Sequence, residues 1–310
     1  MKLLRRVENI PELKDGCVAT IGNFDGVHRG HQALLALLRK QASLLQLPMV
    51  VLLFEPQPGE YFNPHAAPAR LYRLREKLHA LRQCGVDYVY CLRFDKHLVN
   101  MLPEAFAEQI IFSRLNAKYL LLGEDFRFGL NRQGDLTLLK ELGQKKGAII
   151  DACPDFCMEG ARVSSTQIRH ALYLGDLDQA AALMGRKYSL YGRVRHGNGI
   201  GRQWGFPTAN LSVHKGMLAV SGVFCVKVKR QGKPMLAGVA NIGNRPTIDG
   251  SKNVLEVHLF DFDESLYDEM LQVFFLHKLR DEIKFSSVDA LIAQIHLDVA
   301  AARNVYELIE

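Results

Sequence analysis

The chain of 310 residues is predicted to be an α/β protein of two domains: a parallel β-sheet covered by helices over residues 1–184, and an antiparallel β-barrel closed by one terminal helix over 185–310. Three observations carry this. The length is that of two ordinary domains of roughly 100 to 200 residues each. From Val18 to about Ala152 short β-branched runs alternate with helical segments. After Met184 glycine, proline and alternating strands replace the helices.

In order, strands are expected at 18–21, 49–54, 86–92, 118–122 and 148–151, and helices at 32–45, 71–82 and 103–115, the last opened by Pro103. Crossovers of this kind are right-handed and leave the loops after the strand carboxyl ends for ligands. In the second half, 188–195 reads as a strand and 223–229 alternates cleanly. Gln231 and Gly232 form a plausible turn, and 235–240 returns as the other arm of a hairpin. Strands at 254–260 and 271–276 follow. Val288, Leu291, Ile292, Ile295, Val299 and Ala302 then form a helical stripe that Ser286 or Ser287 can cap.

Hydrophobic residues make up 48% and charged residues 23%, which excludes the disordered classes. Subtracting 33 acidic from 39 basic residues leaves +6, spread along the chain. That balance suits small phosphate-bearing ligands. Nucleic acid would fit the charge too, but no zinc finger, basic zipper or RNA-recognition motif is present. The apolar run at 18–21 is too short to span a bilayer and no leader pattern opens the chain, so cytoplasmic residence is expected. The six cysteines are scattered and are read as reduced thiols, and the CPDFC stretch at Cys153 to Cys157 lacks the CxxC spacing.

The first strand runs directly into Gly22, Asn23, Phe24, Asp25, Gly26, Val27, His28, Arg29, Gly30 and His31, with a helix beyond. At such a turn, free backbone amides and the positive end of the helix dipole attract phosphate, and imidazoles at i and i+3 point to one side. Zinc is disfavoured, because HExxH and a nearby third ligand are missing; a pair of surface histidines is the plainer alternative. Two more irregular segments follow strands of the same sheet, FEPQP at 54–58 and GEDFRFG at 123–129, the latter with Asp125. Three such loops at one sheet edge argue for one site. In VSSTQIR at 163–169, Ser164, Ser165 and Thr166 lie at a helix mouth with Arg169 one turn inside. The serines could be simple caps, yet hydroxyls beside a guanidinium also suit a polyphosphate. Neither the Walker A pattern nor GxGxxG occurs.

In the second domain Gly197, Gly199 and Gly201 form a loop able to wrap phosphates, or an ordinary hairpin loop. In PTAN, Thr208 and Asn210 project to one face and offer hard oxygens suited to magnesium; a strand start would look the same. Glu256 shares a strand face with Val254, His258 and Phe260, where it is either a solvated carboxylate or a general base.

GNFDGVHRGH followed by SSTQIR resembles the HxGH nucleotidyltransferase superfamily, and with GEDFRFG it is similar to the FMN adenylyltransferase half of prokaryotic bifunctional FAD synthetases. GFPTAN, the glycine loop, NIGNRPT and LEVHLFDF resemble the riboflavin kinase family. The resemblance implies a Rossmann-like nucleotidyltransferase domain and a riboflavin kinase-like barrel that convert riboflavin to FMN and FMN to FAD with ATP and Mg2+. It implies that His28 and His31 face the ATP phosphates. Gly22, Asn23, Phe24, Asp25, Gly30 and Asp125 would shape that site, with Ser164, Ser165, Thr166 and Arg169 on the leaving pyrophosphate. In the barrel, Glu256 would be the base, Thr208 and Asn210 would hold magnesium and ATP, and Gly197, Gly199 and Gly201 would cover the phosphates. One departure stands out: Gln57 occupies the place of the histidine expected in the family's FxPHP loop. Small molecules are the expected partners, with no nucleic acid and no membrane. The competing readings are an HxGH transferase for another phosphorylated metabolite with the barrel as a binding module, and a nucleic-acid-binding protein.

Overall fold

The structure, a computed structural model, describes residues 1–5, 11–197, 200–213, 218–247 and 250–309, without the side chains of 12, 200, 244–247, 250–252 and 309. Contacts divide it into two compact units, Met1–Pro68 with Lys77–Ser164, and Ala69–Glu76 with Ser165–Glu310.

The first unit is built on a six-stranded parallel sheet of β1 Lys2–Leu4, β2 Cys17–Ile21, β3 Met49–Glu55, β4 Tyr88–Arg93, β5 Ala117–Gly123 and β6 Ile149–Cys153, in the order β1-β4-β3-β2-β5-β6. Every residue of β2 is buried, as a central strand covered on both faces requires. Leu52, Leu120 and Leu122 from its neighbours are fully buried in the same core. The five expected strands are present within a few residues of their predicted bounds, and β1 was not anticipated. The expected helix at 103–115 is one α-turn, Pro103–Phe106, followed by a π-helical stretch, Ala107–Arg114, in which Leu115 N donates to Ile110 O at 3.1 Å. The wider turn still buries Ala107, Ile110 and Ile111, so the apolar spacing reads as helix in either form. The helix expected to begin at residue 71 begins at Leu74. Two short antiparallel strands, β7 Cys157–Met158 and β8 Ala161–Arg162, complete this unit.

The second unit is a closed antiparallel barrel of β9 Ser189–Arg195, β10 Ala209–Ser212, β11 Gly222–Lys229, β12 Leu236–Thr247, β13 Gly250–Leu259 and β14 Met270–Arg280, in the order β10-β13-β12-β11-β14-β9. On β13 the pattern is strict: Leu255, Val257 and Leu259 are buried inside the barrel, while Val254, Glu256 and His258 face outward. The terminal helix, Val288–Ile309, covers part of that outer surface with Ala302 and Tyr306. Ser287 caps it, its Oγ accepting from Ala290 N at 3.2 Å.

Arg230, after β11, is buried. It donates from Nε and Nη2 to Glu269 at 3.0 and 2.9 Å and from Nη1 to Glu264 at 3.0 Å. The hydrogen bonds from Arg230 hold the Glu269 carboxyl below the usual carboxylate range. On acidification the unfolded chain therefore takes up this proton first, near the ordinary glutamate value of ~4.3. The stability it contributes is complete above that pH and is lost as pH falls through the lower folded value. Unfolding followed from pH 6 to pH 3 is expected to show the wild-type barrel losing more stability than Glu269→Gln, which lacks this proton uptake.

None of the six cysteines is joined in a disulfide. Burial pushes the Cys17 thiol up to about 12, which leaves it protonated and inert.

Candidate active sites

In the first unit β2 lies between β3 and β5, and the strand order reverses there, with β3 and β4 on one side and β5 and β6 on the other. The carboxyl edge at such a reversal is where open α/β sheets bind ligands. The loops after β3, β2 and β5 emerge side by side at this edge, carrying Gln57, the GNFDGVHRGH turn and Asp125. After Gly22 and Asn23 the backbone turns sharply: Phe24 and Val27 are left-handed at φ 47° and 41°. Phe24, Asp25 and His28 are buried. His28 caps the helix Arg29–Leu45, its Nδ1 accepting from His31 N at 3.4 Å. The two rings stack, with centroids 3.7 Å apart and planes at 21°, and Phe24 packs 4.8 Å from His31. Gly30 leaves the space in which the His28 ring lies. With Nδ1 accepting, a neutral His28 carries its proton on Nε2, a donor at the mouth of a long helix.

Gln57 is buried and caps the helix Pro58–Phe62 through a reciprocal arrangement in which Gln57 N donates to Glu60 Oε2 at 2.9 Å. Asp125 pairs with Arg162 at 3.1 Å, and Arg162 also meets Asp155 at 3.0 Å. Arg162 was not foreseen, since only the folded β7–β8 turn returns it to the GEDFRFG loop. Ser164 ends this unit, whereas Ser165, Thr166 and Arg169 begin the helix Ser165–Leu174 of the second. Arg169 Nε donates there to Ala69 O at 2.5 Å. Among the described residues, no group of three or more His, Cys, Asp or Glu is arranged to hold a metal ion.

In the second unit a cavity of about 580 Å³ lies on the outer face of the barrel wall. Thr208, Asn210, Asn241, Glu256 and His258 line it, together with the apolar Val223, Val239 and Ile283 and with Leu291 and Ile295 of the terminal helix. Register explains the polar group. Glu256 on β13 stands opposite Asn210 of β10 on one side and Asn241 of β12 on the other, and directly opposed residues share a face. His258 donates from Nδ1 to the Pro207 carbonyl at 2.9 Å, which fixes the start of PTAN against β13. Gly197 and Gly201 press on the same groups. A Cβ on Gly197 would come 2.5 Å from Asn210 Nδ2, and one on Gly201 would come 2.5 Å from the Phe206 carbonyl oxygen and 3.4 Å from Thr208 Oγ1. Gly199 lies outside the described residues. Farther along the wall Arg280 holds Asp298 of the terminal helix by paired hydrogen bonds of 2.9 and 2.7 Å. The structure lines one cavity with Thr208, Asn210 and Glu256, and adds Asn241, which the sequence reading did not include in their group.

The family described as FAD synthetase matches residues 10–167, and the family described as riboflavin kinase matches residues 184–306. A bifunctional riboflavin kinase/FMN adenylyltransferase of Haemophilus influenzae is 47% identical over 306 residues, covering 99% of each chain. The protein of that description from Escherichia coli K12 is 46% identical over 309 residues with 99% coverage of both. A solved structure titled as a macrolide-efflux protein from Streptococcus pneumoniae superposes with a TM-score of 0.81 at 30% identity, over 97% of this chain and 99% of that one. Among the described residues of the present chain, no helix is long and apolar enough to cross a membrane. Two family matches in the order of the two sites, with relatives 46–47% identical from end to end, establish that the chain belongs to the bifunctional riboflavin kinase/FMN adenylyltransferase family.

Proposed function

We infer that this chain makes FMN and then FAD, each step in its own site. Riboflavin is phosphorylated in the barrel cavity, and FMN is adenylylated at the carboxyl edge of the parallel sheet. The placement of Glu256 between Asn210 and Asn241, facing one cavity with Thr208, carries the first assignment. Glu256 takes the proton of the terminal ribityl hydroxyl as its oxygen bonds to the γ-phosphorus of ATP and the bond to the β-phosphate oxygen breaks, releasing ADP. The apolar lining residues of the cavity suit the flavin ring.

Thr208 and Asn210 offer neutral hard oxygens two residues apart, a sparse donor set of the kind magnesium accepts when phosphates complete its shell. These two residues would hold the ion, which supplies charge neutralisation on the phosphates. Gly197 and Gly201 keep them in place by close approach. Gly197→Ala is therefore expected to lower kcat/KM for FMN formation about 10- to 100-fold by displacing Asn210, as measured by separating the flavins formed from riboflavin and ATP.

In the other step an FMN phosphate oxygen attacks the α-phosphorus of ATP and pyrophosphate leaves, with no covalent bond to the enzyme. His28 and His31 donate to phosphate oxygens as charge builds. Gly22, Asn23, Phe24, Asp25 and Gly30 shape that turn, and Asp125 borders it from the β5 loop. Ser164, Ser165, Thr166 and Arg169 are assigned to the pyrophosphate on their sequence pattern alone. Gln57 is engaged as a helix cap, so it is given no phosphate contact.

The division of labour falls at 184/185, in keeping with the kinase match that starts at residue 184. It separates activities and is distinct from the contact-defined units. Reaction in the cytoplasm, with small molecules rather than nucleic acid or a membrane as partners, completes the proposal. Its test is incubation with riboflavin, ATP and Mg2+ followed by separation of flavins. Sequential appearance of FMN and FAD supports it, and absence of both rejects it in favour of another phosphorylated acceptor.

A further inference from the structure

We propose that Asn241 is a positioning residue for riboflavin phosphorylation, one that aims the Glu256 carboxylate at the hydroxyl it deprotonates. Its neighbours Ala240 and Ile242 are fully buried inside the barrel, so the alternation of β12 turns Asn241 outward to the cavity. There it stands directly opposite Glu256 across β12 and β13. Opposed residues on antiparallel strands have Cβ atoms about 4.5–5.5 Å apart, which places a carboxamide N–H within reach of a carboxylate oxygen.

Glu256 has the corresponding neighbour Asn210 on its other side, but the oxygen of that side chain is assigned to magnesium and ATP. Asn241 has no such duty. A glutamate has three rotatable bonds, and holding it in one rotamer opposes the entropy of its side chain. A donor fixed to the sheet supplies that restraint: it holds one carboxylate oxygen and leaves the other for the substrate proton. The inference rests on the assignment of Glu256 as the base, and the experiment separates the two.

Full-length wild type, Asn241→Leu, Asn241→Ser, Glu256→Gln and the Asn241→Leu/Glu256→Gln double variant are compared in riboflavin kinase assays, with riboflavin binding followed by flavin fluorescence as a check on folding. Asn241→Leu keeps roughly the volume and removes the donor. Its kcat is expected to fall about 10- to 100-fold, with riboflavin Kd and both KM values within about twofold of wild type. Asn241→Ser retains a donor and is expected to recover part of the loss. In the Glu256→Gln background, Asn241→Leu is expected to change the residual rate by less than about twofold, because its effect passes through the missing carboxylate. An unchanged kcat in Asn241→Leu overturns the inference, as does a raised riboflavin KM with kcat intact, or a loss that simply multiplies with that of Glu256→Gln. Normal turnover by Glu256→Gln alone would instead reject the base assignment itself.

Discussion

Glu256→Gln is expected to lower FMN formation from riboflavin by about 10²- to 10⁴-fold, the usual contribution of a positioned general base, while FAD formation from supplied FMN proceeds at the wild-type rate. The substitution keeps the size and polarity of the side chain, so the alternation of β13 and the pairings to Asn210 and Asn241 stay in place. What it removes is the ability to accept a proton. The loss should therefore appear in kcat, with little change in the KM for riboflavin or ATP. Equal loss of both activities would mean that the two reactions share machinery.

The reciprocal result is expected at the other site. His31→Ala should lower FAD formation from FMN by about 10²- to 10³-fold, as loss of one preorganised donor to a developing charge does, and FMN should accumulate when riboflavin is supplied. His31 stacks on His28 at 3.7 Å and lies beside Phe24, so its removal also loosens the ring that caps the helix. His28→Ala should be at least as damaging, since it loses both a donor and the cap that accepts from His31 N. A protein whose histidines merely decorate a helix start would retain FAD synthesis in both variants. Product analysis from riboflavin and from FMN, run in parallel, reads both outcomes.

What the sequence disclosed follows the range over which each determinant acts. The HxGH turn was legible because its parts are local: a buried strand, a glycine-rich bend and imidazoles one helical turn apart all lie within fifteen residues, 17–31. The capping role of Gln57 had a local signal too, a proline at the first helical position and Glu60 three residues on, but it was read only against an expected histidine. Asn241 shows the opposite limit. Its strand was expected to end at 240, yet β12 runs on to Thr247, and only the register across β12 and β13 places Asn241 beside Glu256. Alternation reveals which residues share a face of one strand and says nothing of which residue stands opposite on the next.

Segment 69–76 illustrates a second limit. Apolar spacing suggested a helix from residue 71, but Ala69–Glu76 groups with the barrel's unit and the helix begins at Leu74. Periodicity reports that a side chain is to be buried without saying against what. The three-residue β1, pairing only at the sheet edge and mostly exposed, is too short to carry any period.

Two separate sites between which FMN passes through solution would make one sharp demand. Glu256→Gln and His31→Ala are each expected to produce almost no FAD from riboflavin and ATP, the first for want of FMN and the second for want of adenylyl transfer. Mixed in equal amounts they are expected to restore FAD synthesis, because FMN released by His31→Ala enters the intact adenylyltransferase site of Glu256→Gln. A mixture that makes no more FAD than the sum of its two components would contradict the account.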